Sequence, residues 1–114
     1  MSSPITTHVL DTARGRPAAG VAVRLERWFA DTWAAVGAGV TDADGRLLTL
    51  VPEGRPIGAG RYRLTFDTAA YFRATGVPGF YPEVPVVFEI TDPSQHYHVP
   101  LLLSPHGYST YRGS

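Results

Sequence analysis

A chain of 114 residues carries ten Lys+Arg against ten Asp+Glu, all ten positive charges being arginine, with no lysine, cysteine or asparagine anywhere. That length is one domain, able to bury roughly two-thirds of the surface its unfolded form exposes. The zero formal net charge argues against nucleic acid or an anionic membrane as partner, because such binders carry a basic surplus to neutralise phosphates. The missing residue types exclude a disulfide frame, a thiolate metal centre, a thiol nucleophile and an N-glycosylation acceptor. With no basic-then-apolar leader pattern and no apolar run of spanning length, a cytoplasmic domain is expected. Its chemistry must come from His, Arg, carboxylates and hydroxyls.

Twelve Gly and ten Pro divide the chain into short segments, the habit of an all-β sandwich or barrel. Ile5 to Asp11 is the first predicted strand, closed by Arg14-Gly15-Arg16-Pro17. Val21 to Phe29 follows, with Val21, Val23 and Leu25 alternating against Ala22, Arg24 and Glu26, a period of two that lays one face on a core. Thr32 to Val40 is an Ala- and Gly-rich strand, Thr41 to Gly45 a turn, and Leu47 to Val51 resumes the strand pattern. Arg61 to Asp67 alternates most clearly, with Tyr62, Leu64 and Phe66 on one face. Thr68 to Thr75 lacks alternation and has a capping residue before it and Gly76 behind it, which predicts a short helix. Val84 to Ile90, His96 to Leu103 and Tyr108 to Arg112 complete about eight strands, a number and spacing that give two packed antiparallel sheets.

Three constellations could carry chemistry. In a strand from His96 to Leu103, Tyr97, Val99, Leu101 and Leu103 point to the core, so His96 and His98 share the opposite face with Pro100 and Leu102. Such a face is half covered rather than freely solvated, as though it met a partner surface. The ordinary reading of His-x-His is a solvated or interface-covered pair. With His8 the pair makes three imidazoles that could in principle hold zinc, but no His-Glu-x-x-His motif accompanies them, and metal-free acid–base work ranks above a metal site. Asp42-Ala43-Asp44-Gly45-Arg46 resembles the start of a calcium loop but lacks the remaining ligands; its Asp residues are turn formers. Arg46 at the turn's exit could fork two hydrogen bonds onto a carbonyl or oxyanion. The ending Gly107-Tyr108-Ser109-Thr110-Tyr111-Arg112-Gly113-Ser114 is aromatic and hydroxyl-rich straight after a core strand, and reads as docked rather than frayed.

Taken in order, the runs His8-Val9-Leu10-Asp11-Thr12, Thr41-Asp42 to Gly45-Arg46, Phe80-Tyr81-Pro82-Glu83, His96-Tyr97-His98-Val99-Pro100 through Pro105, and Tyr111-Arg112-Gly113-Ser114 resemble the 5-hydroxyisourate hydrolases, the enzyme branch of the transthyretin-like family. The resemblance covers essentially the whole chain. It implies a sandwich of two four-stranded antiparallel sheets with one short helix, and a homotetramer whose central channel holds the active sites at subunit interfaces. The implied reaction opens the six-membered ring of 5-hydroxyisourate with water, in urate breakdown, to give a carboxylated ureidoimidazoline, without metal or organic cofactor. By the same resemblance His8, Arg46 and His98 are expected to be catalytic, one imidazole as base and the other as its partner. Tyr111, Arg112, Gly113 and Ser114 are expected to bind this small-molecule substrate. His96 is expected to be structural, and His106 stands where an aromatic is expected. A non-catalytic carrier of a planar aromatic ligand is the alternative.

Overall fold

A computed structural model describes residues 3–114. Its elements are β1 (Ile5–Asp11), β2 (Arg16–Pro17), β3 (Ala22–Phe29), β4 (Thr32–Val40), β5 (Arg46–Leu47), β6 (Gly60–Phe66), α1 (Thr68–Thr75), β7 (Val84–Ile90), β8 (Tyr97–His98), β9 (Leu101–Ser104) and β10 (Gly107–Thr110). No helix among the described residues is long and apolar enough to cross a membrane.

One sheet runs β4-β3-β6-β7, antiparallel throughout. The alternation seen in the sequence decides its faces: Val23, Leu25, Tyr62, Leu64, Phe66, Val84, Val86 and Ile90 are all buried. Burying each such side chain stabilises by roughly 1.5–3 kcal/mol. A bulge between Leu25 and Glu26 leaves Val36 as the extra residue of β4, turned into the core.

The other sheet is organised around β1. On one side β8 and β9 lie parallel to it, Ile5 opposite Tyr97 and Val9 opposite Leu101 in the same register. On the other side β2 and β5 lie antiparallel, and β10 pairs with the outer edge of β9. Six short strands thus fill four columns, which is the expected four-stranded width. The predicted strand from His96 to Leu103 is present as two pieces because Pro100 has no N–H to give the ladder. Side-chain hydroxyls span the gap: Thr7 donates to the Val99 carbonyl at 2.6 Å and Thr110 to the Pro100 carbonyl at 2.7 Å. The parallel pairing departs from the expectation of antiparallel neighbours. Strands β1 and β8 are separated by the whole of the other sheet, so no hairpin dictates their relative direction.

Two further segments differ from the sequence reading. Of Leu47 to Val51 only Leu47 stays in the ladder, paired through Arg46–Leu47. Leu50 and Val51 instead fill the space between the sheets, so close to β4 that a Cβ on Gly37 would overlap the Leu50 carbonyl. The last strand ends at Thr110 rather than Arg112. The helix is as expected: Asp67 caps it by accepting from the Ala70 N–H at 3.1 Å, and Gly76 closes it in the left-handed region at φ 71°.

Helix and site sheet are tied by one polar contact in the interior. The Tyr71 hydroxyl donates to Asp11 Oδ2 at 2.7 Å, Asp11 being buried at the end of β1, and its other oxygen accepts from the Arg14 N–H at 3.0 Å. Burial and the Asp11 carboxylate both push the Tyr71 phenol above its usual range. Replacing Tyr71 by Phe leaves one buried carboxylate oxygen without its donor. Tyr71→Phe should therefore cost about 1.5–3 kcal/mol, seen as a lower urea midpoint at unchanged slope.

Candidate active site

Period two along β1 separates two sets of side chains. Ile5, Thr7, Val9 and Asp11 point into the sandwich, while Thr6 and His8 share the outer face. Register then chooses their neighbours. Thr6 stands beside His98 on β8, and His8 stands opposite Arg46 on β5. Side chains opposite one another in a ladder lie on the same face, so the sheet gathers His98, Thr6, His8 and Arg46 into one cluster. His96, two residues ahead of His98, joins it.

Local turns hold these groups in place. Asp42 Oδ1 accepts from the backbone N–H groups of Asp44 and Arg46, both at 2.9 Å, and Gly45 turns the chain at φ 76°. The carboxylate is spent on the turn, which sets the start of β5 and with it Arg46. The Asp44 carbonyl lies 2.8 Å from His8 Nε2. A carbonyl only accepts, so His8 donates from Nε2 and its Nδ1 is the nitrogen left over. Arg46 is exposed, and among the described residues its guanidinium has neither an ion pair nor a hydrogen bond.

His98 is half-buried, and its Nδ1 lies 2.8 Å from Thr6 Oγ1. The same hydroxyl is 2.9 Å from His96 Nε2. Burial, and then the positive charges of His8, His96 and Arg46, hold the His98 imidazole below its ordinary value of 6.5, with hydrogen bonding to the Thr6 backbone acting the other way. His98 is therefore neutral near pH 7 and keeps a lone pair. One ring nitrogen of each of the three histidines is engaged with a hydroxyl or carbonyl oxygen. Among the described residues no three His, Cys, Asp or Glu side chains form a group able to hold a metal ion.

Past β10 the chain returns onto β8, where the Gly113 N–H donates to the His98 carbonyl at 2.8 Å. A Cβ on Gly113 would stand 2.6 Å from His98 Cδ2 and 3.3 Å from Pro100 Cγ. Only glycine leaves the imidazole its place. Arg112 is directed elsewhere: its guanidinium stacks on Tyr97 at 4.5 Å from the ring centre and donates to Gln95 Oε1 at 2.9 Å, on the side away from His98. Tyr111 is exposed along a groove of about 220 Å³ beside β7, and Ser114 follows Gly113 at the surface. His106 sits in the exposed turn between β9 and β10. Thr6 escaped the sequence reading, although its place two residues before His8 on one strand face was the signal for it.

A sandwich of this topology with an imidazole–guanidinium cluster on the outer face of one sheet defines a transthyretin-like domain with a polar site. Residues 5–113 match the model of the HIUase/Transthyretin family, and the chain belongs to it. It is 50% identical to the 5-hydroxyisourate hydrolase of Mus musculus, covering 99% of this chain and 97% of that one. It is 49% identical to 5-hydroxyisourate hydrolase 2 of Rhizobium meliloti, covering 99% of this chain and 98% of that one. Among solved structures, sea bream transthyretin in complex with thyroxine superposes at a TM-score of 0.90 with 37% identity, over 97% of this chain and 95% of that one. Klebsiella pneumoniae 5-hydroxyisourate hydrolase superposes at 0.82 with 39% identity, over 96% and 98%.

Two outcomes follow from the geometry. The folded chain resists protonation of His98 more than the unfolded chain does. The resulting penalty is absent well above pH 6.5, grows as pH falls from 6.5 toward the folded-state value, and is complete below that value. An NMR titration of the His98 ring should give a midpoint below 6.5. Gly113→Ala should shift the His98 ring resonances and cost about 1–3 kcal/mol, measured by thermal unfolding, because either the tail or the ring must give way.

Proposed function

We propose that this chain hydrolyses 5-hydroxyisourate, with His98 as the general base and Arg46 as the oxyanion ligand, in a cytoplasmic homotetramer. The carrying observation is a neutral, half-buried imidazole set on the same face as an unpaired guanidinium, in a chain that is about half identical to hydrolases along its full length. In this reading His98 takes a proton from water, and the oxygen adds to a ring amide carbonyl. The two electrons of the C=O π bond move to oxygen, where Arg46 meets the developing charge. Collapse breaks the ring C–N bond, and the nitrogen leaves with the proton that His98 returns. One water is consumed, one carboxylate forms and the six-membered ring opens. His8, its Nε2–H held by Asp44, orients the ring. Gly113 makes room for the base and Ser114 closes the rim, while Tyr111 lines the groove beside β7. Arg112, anchored on Tyr97, is better suited to holding the tail than to touching substrate.

Assembly is part of the proposal. Phe80, Tyr81 and Tyr108 form an exposed edge-to-face aromatic ladder with ring centres 4.9 and 5.2 Å apart, and β7 has an unpaired edge bearing exposed Val87. Surfaces of this kind support self-association and the covering of the His98 face by another copy. The carrier alternative is not favoured, because the curated relatives at 49–50% identity are named as hydrolases, whereas sea bream transthyretin is 37% identical.

The test is the absorbance decay of freshly generated 5-hydroxyisourate. Wild type should exceed the spontaneous rate. His98→Asn should lower kcat roughly 10²–10⁴-fold and Arg46→Ala roughly 10²–10³-fold, with the mass by light scattering unchanged at four chains. A wild-type rate equal to background would return the carrier reading, and a variant at full rate would remove the role given to that residue.

A further inference from the structure

Thr6 is 1% exposed, yet its hydroxyl touches two imidazoles, His98 Nδ1 at 2.8 Å and His96 Nε2 at 2.9 Å. A threonine hydroxyl has one proton to give and lone pairs to accept with. Among the described residues its proton has no acceptor other than these two rings, so the hydroxyl donates to one and accepts from the other. One oxygen therefore sets both tautomers, in opposite senses. Two arrangements are possible, and they differ in which nitrogen of His98 is basic.

We propose that His98 Nδ1–H donates to Thr6 Oγ1 while the Thr6 hydroxyl donates to His96 Nε2, so that Thr6 and His96 are positioning residues that hold His98 Nε2 as the basic nitrogen. Two observations select this direction. The Thr6 backbone acts to raise the affinity of the His98 ring for a proton, which matches an N–H rather than a lone pair on the Thr6 side. The ring's Cδ2 edge, which carries Nε2, lies toward the tail at Gly113, the side on which substrate is proposed to bind. The opposite arrangement would place the proton on Nε2 and leave no base facing that side.

A base usually needs a group behind it to fix its tautomer, and a buried carboxylate often fills that position. Here the orienting groups are neutral. A carboxylate at Thr6 would raise the basicity of His98, but it would also attract the Arg46 guanidinium that the oxyanion requires. A hydroxyl backed by a neutral imidazole fixes the ring without competing for that charge. The choice also agrees with a His98 that stays uncharged among His8, His96 and Arg46.

The proposal rests on the reading of His98 as base, and the experiment separates the two. In nitrogen-15 histidine-labelled wild-type protein above pH 6.5, the His98 correlation pattern should show a protonated Nδ1 and a pyridine-type Nε2. Thr6→Val, of equal shape without the hydroxyl, should give a mixture of tautomers and a kcat roughly 10- to 100-fold lower with KM within about twofold. Thr6→Ser should restore both the pattern and most of kcat. An Nε2–H tautomer in wild type would overturn the proposal, as would a Thr6→Val protein with unchanged tautomer and kcat. The wild-type spectrum decides the tautomer even if Thr6→Val does not fold. Full activity in His98→Asn would instead remove the base reading and leave the tautomer result standing.

Discussion

The register of β1 is the constraint on which the rest of the structure depends. Side chains alternate along a strand, so a slip of one residue would turn Thr6 and His8 into the sandwich and Ile5 and Val9 out of it. Each of those two apolar side chains, fully buried, stabilises the correct register by roughly 1.5–3 kcal/mol, enough together to make the slipped pairing negligible. The core-facing half of the strand thereby aligns the polar half. Strands β8 and β9 keep one common register against it, and the ladder continues across Pro100 because the Val99 N–H reaches the Thr6 carbonyl at 2.9 Å while threonine hydroxyls serve the flanking carbonyls. Apolar packing inside the sandwich is thus what places the imidazoles outside it.

The electrostatics of the cluster run against stability. His8, His96, His98 and Arg46 gather on one face, and the ion pair between Arg63 and Glu26 at 2.7 Å belongs to the other sheet. Among the described residues no carboxylate forms an ion pair with the positive cluster; Asp42 is committed to its turn and Asp11 to Tyr71. The consequence is an imidazole that stays neutral and a guanidinium that stays available, each the state that the proposed hydrolysis requires. The fold tolerates this because the unfavourable charges sit at a partly hydrated surface, where like-charge repulsion is screened, while the core beneath them is predominantly apolar.

Much of this could be read from the residues, and the parts that could not share a cause. Alternation showed which of Tyr62, Leu64, Phe66, Tyr97, Val99, Leu101 and Leu103 are inside, and all of them are; from the same period His98 and His96 were set on the opposite face. The helix was legible because its cap residue and closing glycine act locally. What stayed hidden depends on contacts between distant segments. The direction of β8 relative to β1, the departure of Leu50 from its ladder toward Gly37, and the turn of Arg112 toward Tyr97 all follow from tertiary neighbours that no local pattern encodes. Thr6 belongs with these: its importance comes from the two rings beside it, which lie some ninety residues further along the chain.

Backbone shape does not separate a hydrolase from a ligand carrier in this family, since the chain superposes closely on both kinds of protein. The difference must lie in the few side chains that the sheet turns outward and in what the last residues do to them. Gly113 makes the point most sharply. Its backbone closes a bridge to His98, and its missing side chain leaves the space that the imidazole occupies, so the tail and the base form a single unit. A residue with any side chain could keep the bridge or the ring position, but not both. The end of the chain is therefore tied to the chemistry of His98 by volume as well as by sequence order, and a sandwich built for packing acquires a site wherever its outer face can be finished in this way.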